Sequence, residues 1–220
     1  MAFRPMLRRG KADLADWDYV GRWGTGSEVE AILSDEETPA WRCRAAAKGR
    51  RVGKAYLTKN IPAVTRGQIV EARATYLIQE APSNGSLYLM DFECRNCGPR
   101  TKAGIRVMLR NGQIRVNRSK LGLSDDFVSR PLAELRTGEP FTLTVRLKLG
   151  AEEGGTMVLV NDKPVLDRRG VNMPLKKFAR QLNVELKQEQ IDYVQLGITA
   201  NSGPSTARVL VSDVAIQTFK

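Results

Sequence analysis

Phe141-Thr-Leu-Thr-Val-Arg-Leu-Lys-Leu149 decides the fold. Phe141, Leu143, Val145, Leu147 and Leu149 alternate with Thr142, Thr144, Arg146 and Lys148. Side chains on a strand project to opposite faces with a period of two, so this segment buries one face and wets the other. Gly150–Gly155 turns the chain into Thr156–Val160, and Asn161-Asp162-Lys163 turns it again before Pro164–Leu166. Two further strands, Asp192–Thr199 and Ala207–Ile216, close the chain. Strands of this kind, punctuated by turn residues, predict an all-β fold built as an antiparallel β-sandwich.

Working back toward the N-terminus, Ile105–Arg110 and Gln113–Asn117 flank Asn111-Gly112, whose residues accept the positive φ of a tight hairpin. The register opposes Leu109 with Ile114 and Val107 with Val116 on the inward face. Outside, Arg106, Met108 and Arg110 lie across from Asn117, Arg115 and Gln113. Gly67–Gln79 reads as a long strand with Val70, Ala72, Ala74, Tyr76 and Ile78 on one face. After the turn Ala81–Gly85, Ser86–Glu93 is expected to pair back against it. Val29–Leu33 and Trp41–Ala47 are further candidate strands, and Lys48–Lys54 is a basic turn. Leu175–Leu186 reads as a short helix or irregular crossing, and Pro131–Leu135 as a helical turn. Residues 1–28 are expected to form an N-terminal arm and lead-in loop containing Trp17, Tyr19 and Trp23, with residues 29–220 as one β-sandwich domain.

From Phe141 onward the pattern resembles the concanavalin A-like lectin/glucanase jelly roll, including laminin-G-like and heparin-lyase-like members. The resemblance rests on Phe141–Leu149, the hairpin Val158–Leu166, and the closing pair Asp192–Thr199 and Ala207–Ile216. It implies a jelly-roll sandwich. Members of that superfamily bind glycans, cleave them or serve as structural modules, so the fold alone does not choose.

Composition narrows the choice. The chain has 220 residues, of which 42% are hydrophobic, and no run approaches the ~18 apolar residues of a membrane span. The basic start, Met1–Lys11, lacks the apolar run of a secretion signal, so cytoplasmic synthesis is expected. Thirty-five Lys and Arg against twenty-four Asp and Glu give a net charge of +11, which favours polyanionic partners. No RNP-like, zinc-finger or recognition-helix pattern points to specific nucleic acid. The absence of histidine removes the usual imidazole base and the commonest metal ligand. Cys94-Arg-Asn-Cys97 has half the spacing of a zinc site, but only Cys43 remains to add to it, so no metal or other cofactor is expected. The cysteines read as ordinary thiols or one local disulfide.

Three groups of side chains are candidates for function. Arg106, Arg110 and Arg115 share the outer face of one hairpin, and Arg146 and Lys148 point outward from another strand. If those strands share a sheet, they form a cationic surface suited to the carboxylates or sulfates of an acidic polysaccharide. Arg4, Arg8, Arg9 and Lys11 suit a basic arm that docks on neighbouring protein subunits. Asp91 and Glu93 share a strand face and read as a solvated surface, with Leu89 standing where a hydrolase would need its leading acid. Tyr56, Tyr76 and Tyr88, with Arg106 or Arg115, are the groups a lyase acting on uronic acid polymers could use. The resulting expectation is a non-catalytic, lectin-like surface module, such as a decoration or spike of a phage-like particle. The alternative is a polysaccharide lyase or glycoside hydrolase acting on acidic polysaccharides.

Overall fold

The structure, a computed structural model, describes residues 1–4, 12–33, 38–46, 52–95, 97, 102–130, 135–183 and 185–220. Strands β1 (Ala2–Phe3), β2 (Tyr19–Trp23), β3 (Glu28–Leu33), β4 (Pro39–Ala45), β5 (Gly53–Val64) and β6 (Ile69–Glu80) come first. They are followed by β7 (Leu87–Cys94), β8 (Ala103–Arg110), β9 (Gln113–Asn117), β10 (Phe127–Val128), β11 (Pro140–Lys148), β12 (Gly155–Val160) and β13 (Lys163–Arg169). A four-residue helix, α1 (Lys176–Ala179), precedes β14 (Ile191–Asn201) and β15 (Ala207–Phe219).

All pairings are antiparallel and form two sheets. One runs β13-β12-β11-β6-β15-β4-β3, with β1 added beside β15; the other runs β10-β9-β8-β7-β14-β5-β2. The alternation read from the sequence sets what lies between them. Phe141, Leu143, Val145 and Leu147 of β11 and Val70, Ala72, Ala74, Tyr76 and Ile78 of β6 meet Val194, Leu196 and Ile198 of β14 and Ala55 and Leu57 of β5. Each large apolar side chain removed from water contributes about 1.5–3 kcal/mol, and this layer holds the sheets together. The architecture is the expected antiparallel jelly-roll sandwich. The β8–β9 hairpin has the register read from Asn111-Gly112, with Leu109 opposite Ile114 and Val107 opposite Val116.

Two readings of the N-terminal half are corrected. Ser86–Glu93 does not pair back on the strand before it. β7 pairs with β8 and β14 in the opposite sheet, so the turn after β6 carries the chain from one layer to the other. Within residues 1–28, Ala2–Phe3 and Tyr19–Trp23 are strands of the two sheets, and Trp17 is buried edge-on against Trp41. Cys94 and Cys97 form a disulfide, and Cys43 is a buried free thiol whose pKa burial pushes up to about 12. Residues 131–134 of the expected helical turn and part of the basic turn at 48–54 lie outside the described residues.

The outer face of the seven-stranded sheet differs from a wetted surface in one respect. β14 is buried along its whole length, on both faces. A layer of long polar and aromatic side chains therefore packs over the middle of this sheet.

Candidate active site

The polar layer is built by alternation on neighbouring strands. On β7, Leu89, Met90 and Phe92 enter the core, which sends Asp91 and Glu93 to the outer face. On β14 the core takes Val194, Leu196 and Ile198, leaving Tyr193, Gln195 and Thr199 outside. On β5, Ala55 and Leu57 turn inward, and Lys54, Tyr56 and Thr58 turn outward. The registers then align these groups. Arg106 lies opposite Asp91, Asp91 opposite Gln195, and Gln195 opposite Thr58; one step along, Glu93 lies opposite Tyr193.

Asp91 is 1% exposed and Glu93 0% exposed, so they are not the solvated face expected from the sequence. Burying a carboxylate is costly unless it is paired, and both are paired. Asp91 accepts from Arg106 Nε at 2.8 Å and from the Thr199 hydroxyl at 2.7 Å, with Lys120 Nζ at 4.0 Å. Glu93 accepts from Lys120 Nζ through one oxygen and from the Tyr193 hydroxyl through the other. Lys120 sits on the turn Ser119–Leu121 that follows β9. Burial, then the neighbouring Asp91, raises the pKa of Glu93 against the opposing pull of Lys120 and Tyr193. The Tyr193 phenol is driven strongly upward by burial and by Glu93, so it is a fixed donor. For Arg106, burial disfavours the charge, but Asp91 outweighs it and the guanidinium stays charged. The guanidinium also lies over the Tyr88 ring at 3.8 Å.

Lys54 and Tyr56 stand beside this network. Lys54 is half-buried and makes no hydrogen bond or ion pair among the described residues. Burial lowers its pKa, and the positive charges of Lys120 and Arg106 lower it further. Tyr56 is 8% exposed and its pKa is raised, first by burial and then by Tyr19. Its ring lies over Gly21 of β2, where any Cβ would fall inside the ring. The site therefore holds an amine that loses its proton more readily than an ordinary lysine, a phenol that keeps its own, and a charged guanidinium. That combination suits proton abstraction next to a carboxylate, with the cation stabilising developing negative charge. Among the described residues, no three His, Cys, Asp or Glu side chains converge as metal ligands.

The sequence candidates divide. Arg106, Arg110 and Arg115 do share one outer face: Arg106 is drawn into the cluster, Arg115 is half-buried beside Gln113, and Arg110 is exposed at the rim. Arg146 and Lys148 lie on β11 in the other sheet, where Arg146 reaches Glu71 at 3.8 Å and the Phe219 ring at 5.8 Å. The single cationic surface that required a shared sheet is therefore not formed. Tyr88 and Tyr56 belong to the site, whereas Tyr76 faces the core from β6 and donates to the Leu89 carbonyl at 2.7 Å. Arg4 lines a shallow cleft with Trp41, Arg73 and Asp213; Arg8, Arg9 and Lys11 lie outside the described residues. Sequence reasoning missed Lys54, Lys120, Tyr193, Gln195 and Thr199. The signal for the β14 members was present, since Tyr193, Gln195 and Thr199 alternate with the apolar residues of a strand already assigned.

Fold and site together define a concanavalin A-like jelly roll with a buried ionic cluster on the outer face of one sheet. No protein-family profile and no curated protein matches the chain in sequence. Solved structures do match it in shape. An endo-β-1,4-glucuronan lyase from the fungus Trichoderma reesei superposes with a TM-score of 0.66 at 13% identity, covering 91% of this chain and 90% of that one. The alginate lyase Aly36B gives 0.61 at 11% identity over 92% and 88% of the two chains. Cellulose induced protein, Cip1, gives 0.61 at 18% identity over 93% and 92%. At such identities the likeness establishes the fold. These neighbours correct the expectation of a non-catalytic, lectin-like particle component: the first two are named as polysaccharide lyases, and none of the three is named as a lectin or a virion protein.

Proposed function

We propose that this chain is a polysaccharide lyase that cleaves uronate-containing polymers by β-elimination. The observation that carries the reading is Lys54: an amine of lowered pKa, unpaired among the described residues, beside a protonated Tyr56 and the cluster that holds Arg106. The names of the fold's glucuronan and alginate lyase neighbours support it.

In this reading Arg106 binds the substrate carboxylate through the guanidinium N–H groups that Asp91 leaves free. Neutralising that carboxylate acidifies the adjacent C5–H, because the charge that develops on proton loss spreads onto the carboxylate. Lys54 takes the C5 proton, and the C–H electron pair becomes the C4=C5 double bond. The C4–O bond breaks, and Tyr56 gives its proton to the departing oxygen. The products are an unsaturated uronate and a new chain end, and no water is consumed. Glu93, Lys120 and Tyr193 hold the framework rigid beneath this chemistry.

The same geometry disfavours a hydrolase. A glycosidase needs one carboxyl as acid and another as base or nucleophile. Both oxygens of Asp91 and both of Glu93 are already occupied by donors. Incubation with glucuronan, alginate and heparin-like polymers, followed by ultraviolet absorbance of the unsaturated product, tests the reading. Absorbance that grows with the wild-type chain and is lost in Lys54→Met supports it. Reducing ends without unsaturation, or undiminished turnover in Lys54→Met, refutes it.

A further inference from the structure

At the β2 edge of the same outer face the polar layer gives way to aromatic surface. Tyr19 is 53% exposed and Trp23 69%, while the other tryptophans, Trp17 and Trp41, are buried. Val20 packs against the core, and Gly21 lies beneath the Tyr56 ring, so Tyr19 and Trp23 share the face that bears Lys54 and Tyr56. Trp23 is directly opposite Lys54 in the register and Tyr19 opposite Thr58. The Tyr19 and Tyr56 rings are 6.2 Å apart between centroids.

The exposure of Trp23 does not come from a loose edge. The Trp23 carbonyl accepts from the Ser27 hydroxyl at 2.8 Å, and that hydroxyl also accepts from the Ala46 amide at 3.2 Å. Gly24 turns the chain with φ +98°, and a Cβ there would meet the Ala46 carbonyl at 2.8 Å. Arg22 is tied back to the Val29 carbonyl at 3.1 Å. The backbone that carries Trp23 is thus tied down, and two large aromatic surfaces stand in water next to groups suited to proton transfer.

We propose that Tyr19 and Trp23 form a stacking shelf for a pyranose ring of the same uronate-containing chain, in the subsite next to the bond that is cut. This rests on the reading of the site as one for acidic glycans. A pyranose ring presents C–H groups on its faces and hydroxyls at its rim, so a flat aromatic buries the former and leaves the latter hydrated. Tyr and Trp do this at low conformational cost, having few rotatable bonds. Continuity of the face identifies the occupant. From β9, with Arg115, to β2, with Trp23, is five strand spacings, or about 24 Å. That span suits an oligosaccharide, with cationic groups at one end and aromatic groups at the other. The consequence is an enzyme that grips an extended polymer and cuts within it.

The test uses the full chain with oligoglucuronates of increasing length. Because Trp17 and Trp41 are buried, a change in tryptophan fluorescence on ligand binding reports Trp23. Oligomers should quench it, and free glucuronate, which Arg106 alone can hold, should not. Trp23→Ala should raise KM for oligomers roughly three- to tenfold with little change in kcat, and Trp23→Phe should recover most of the loss. An unchanged KM in Trp23→Ala, or no quenching, would overturn the shelf. Should no polymer be cut, polymer binding followed in a glycan-loaded gel separates the two ideas. Retardation of wild type that Trp23→Ala abolishes keeps the shelf and removes the lyase. Retardation unchanged by Trp23→Ala removes the shelf.

Discussion

Asp91→Ala deletes one partner of a buried ion pair and measures how firmly the cluster is built. Asp91 is 1% exposed, and the Arg106 side chain 13%. Removing the carboxylate strands the guanidinium and leaves the Thr199 hydroxyl, which is 1% exposed, without its acceptor. Breaking a buried pair from one side costs about 3–5 kcal/mol, and an orphaned hydroxyl about 1–3 kcal/mol. The residual exposure of Arg106 and its stacking on Tyr88 reduce the first figure, so about 4 kcal/mol is expected in all. For a chain of this size that lowers Tm by roughly 8–16 °C. Urea denaturation of wild type, Asp91→Ala, Arg106→Met and the double variant gives a double-mutant cycle. The double variant should be less destabilised than the sum of the singles, with a coupling of about 2–3 kcal/mol. A cost for Asp91→Ala below about 1 kcal/mol, or additive singles, would mean that Asp91 is a solvated strand residue after all.

Other consequences are as direct. Lys54 works only when neutral, so kcat/KM should climb as pH rises through its pKa, which burial and its cationic neighbours hold below the ordinary 10.5; Tyr56, raised above 10, stays a donor across that limb. A pH–rate profile that is flat through the alkaline range would contradict this assignment. The unfolded chain binds the Lys54 proton more tightly than the folded one, so this residue costs stability below its folded pKa and less above it; Lys54→Met should therefore not lower Tm at neutral pH. Gly21→Ala should push the Tyr56 ring from its seat, at a cost of about 1–3 kcal/mol, with kcat falling more than binding; retained kcat would show that the ring position is immaterial. Tyr193→Phe removes a donor to Glu93 and should destabilise by about 1–3 kcal/mol, read in the same urea titration; no change would mean that Glu93 does not need the phenol.

The alternation along β11, β6, β14 and β15 made the sandwich legible, because burying one strand face imposes a period of two on the side chains. The Asn111-Gly112 turn made the β8–β9 register legible to the residue. β5 was not legible. In Gly53–Val64, Lys59-Asn60 and Pro62 interrupt the pattern, and its outward face carries Lys54, Tyr56 and Thr58, whose mixed character masks the inward Ala55 and Leu57. Yet β5 carries the two residues to which the reaction is assigned. Asp91 and Glu93 were visible as a pair on one face, but alternation gives the face and not its cover. The cover comes from Arg106, Lys120, Thr199 and Tyr193, which arrive from three other segments, and only the sheet order of β8, β7 and β14 brings them together. Arg146 and Lys148 show the converse. Their outward direction was read as expected, but no local pattern says to which sheet a strand belongs.

The step assigned to Lys54 is removal of a proton from an acidic sugar. Its most direct test is unsaturated-product absorbance from glucuronan with wild type and with Lys54→Met at matched folded concentration. Wild type should give steady product at alkaline pH and Lys54→Met none above background, with both proteins still retained on the polymer. Equal product from both, or none from wild type on any uronate polymer, would contradict it.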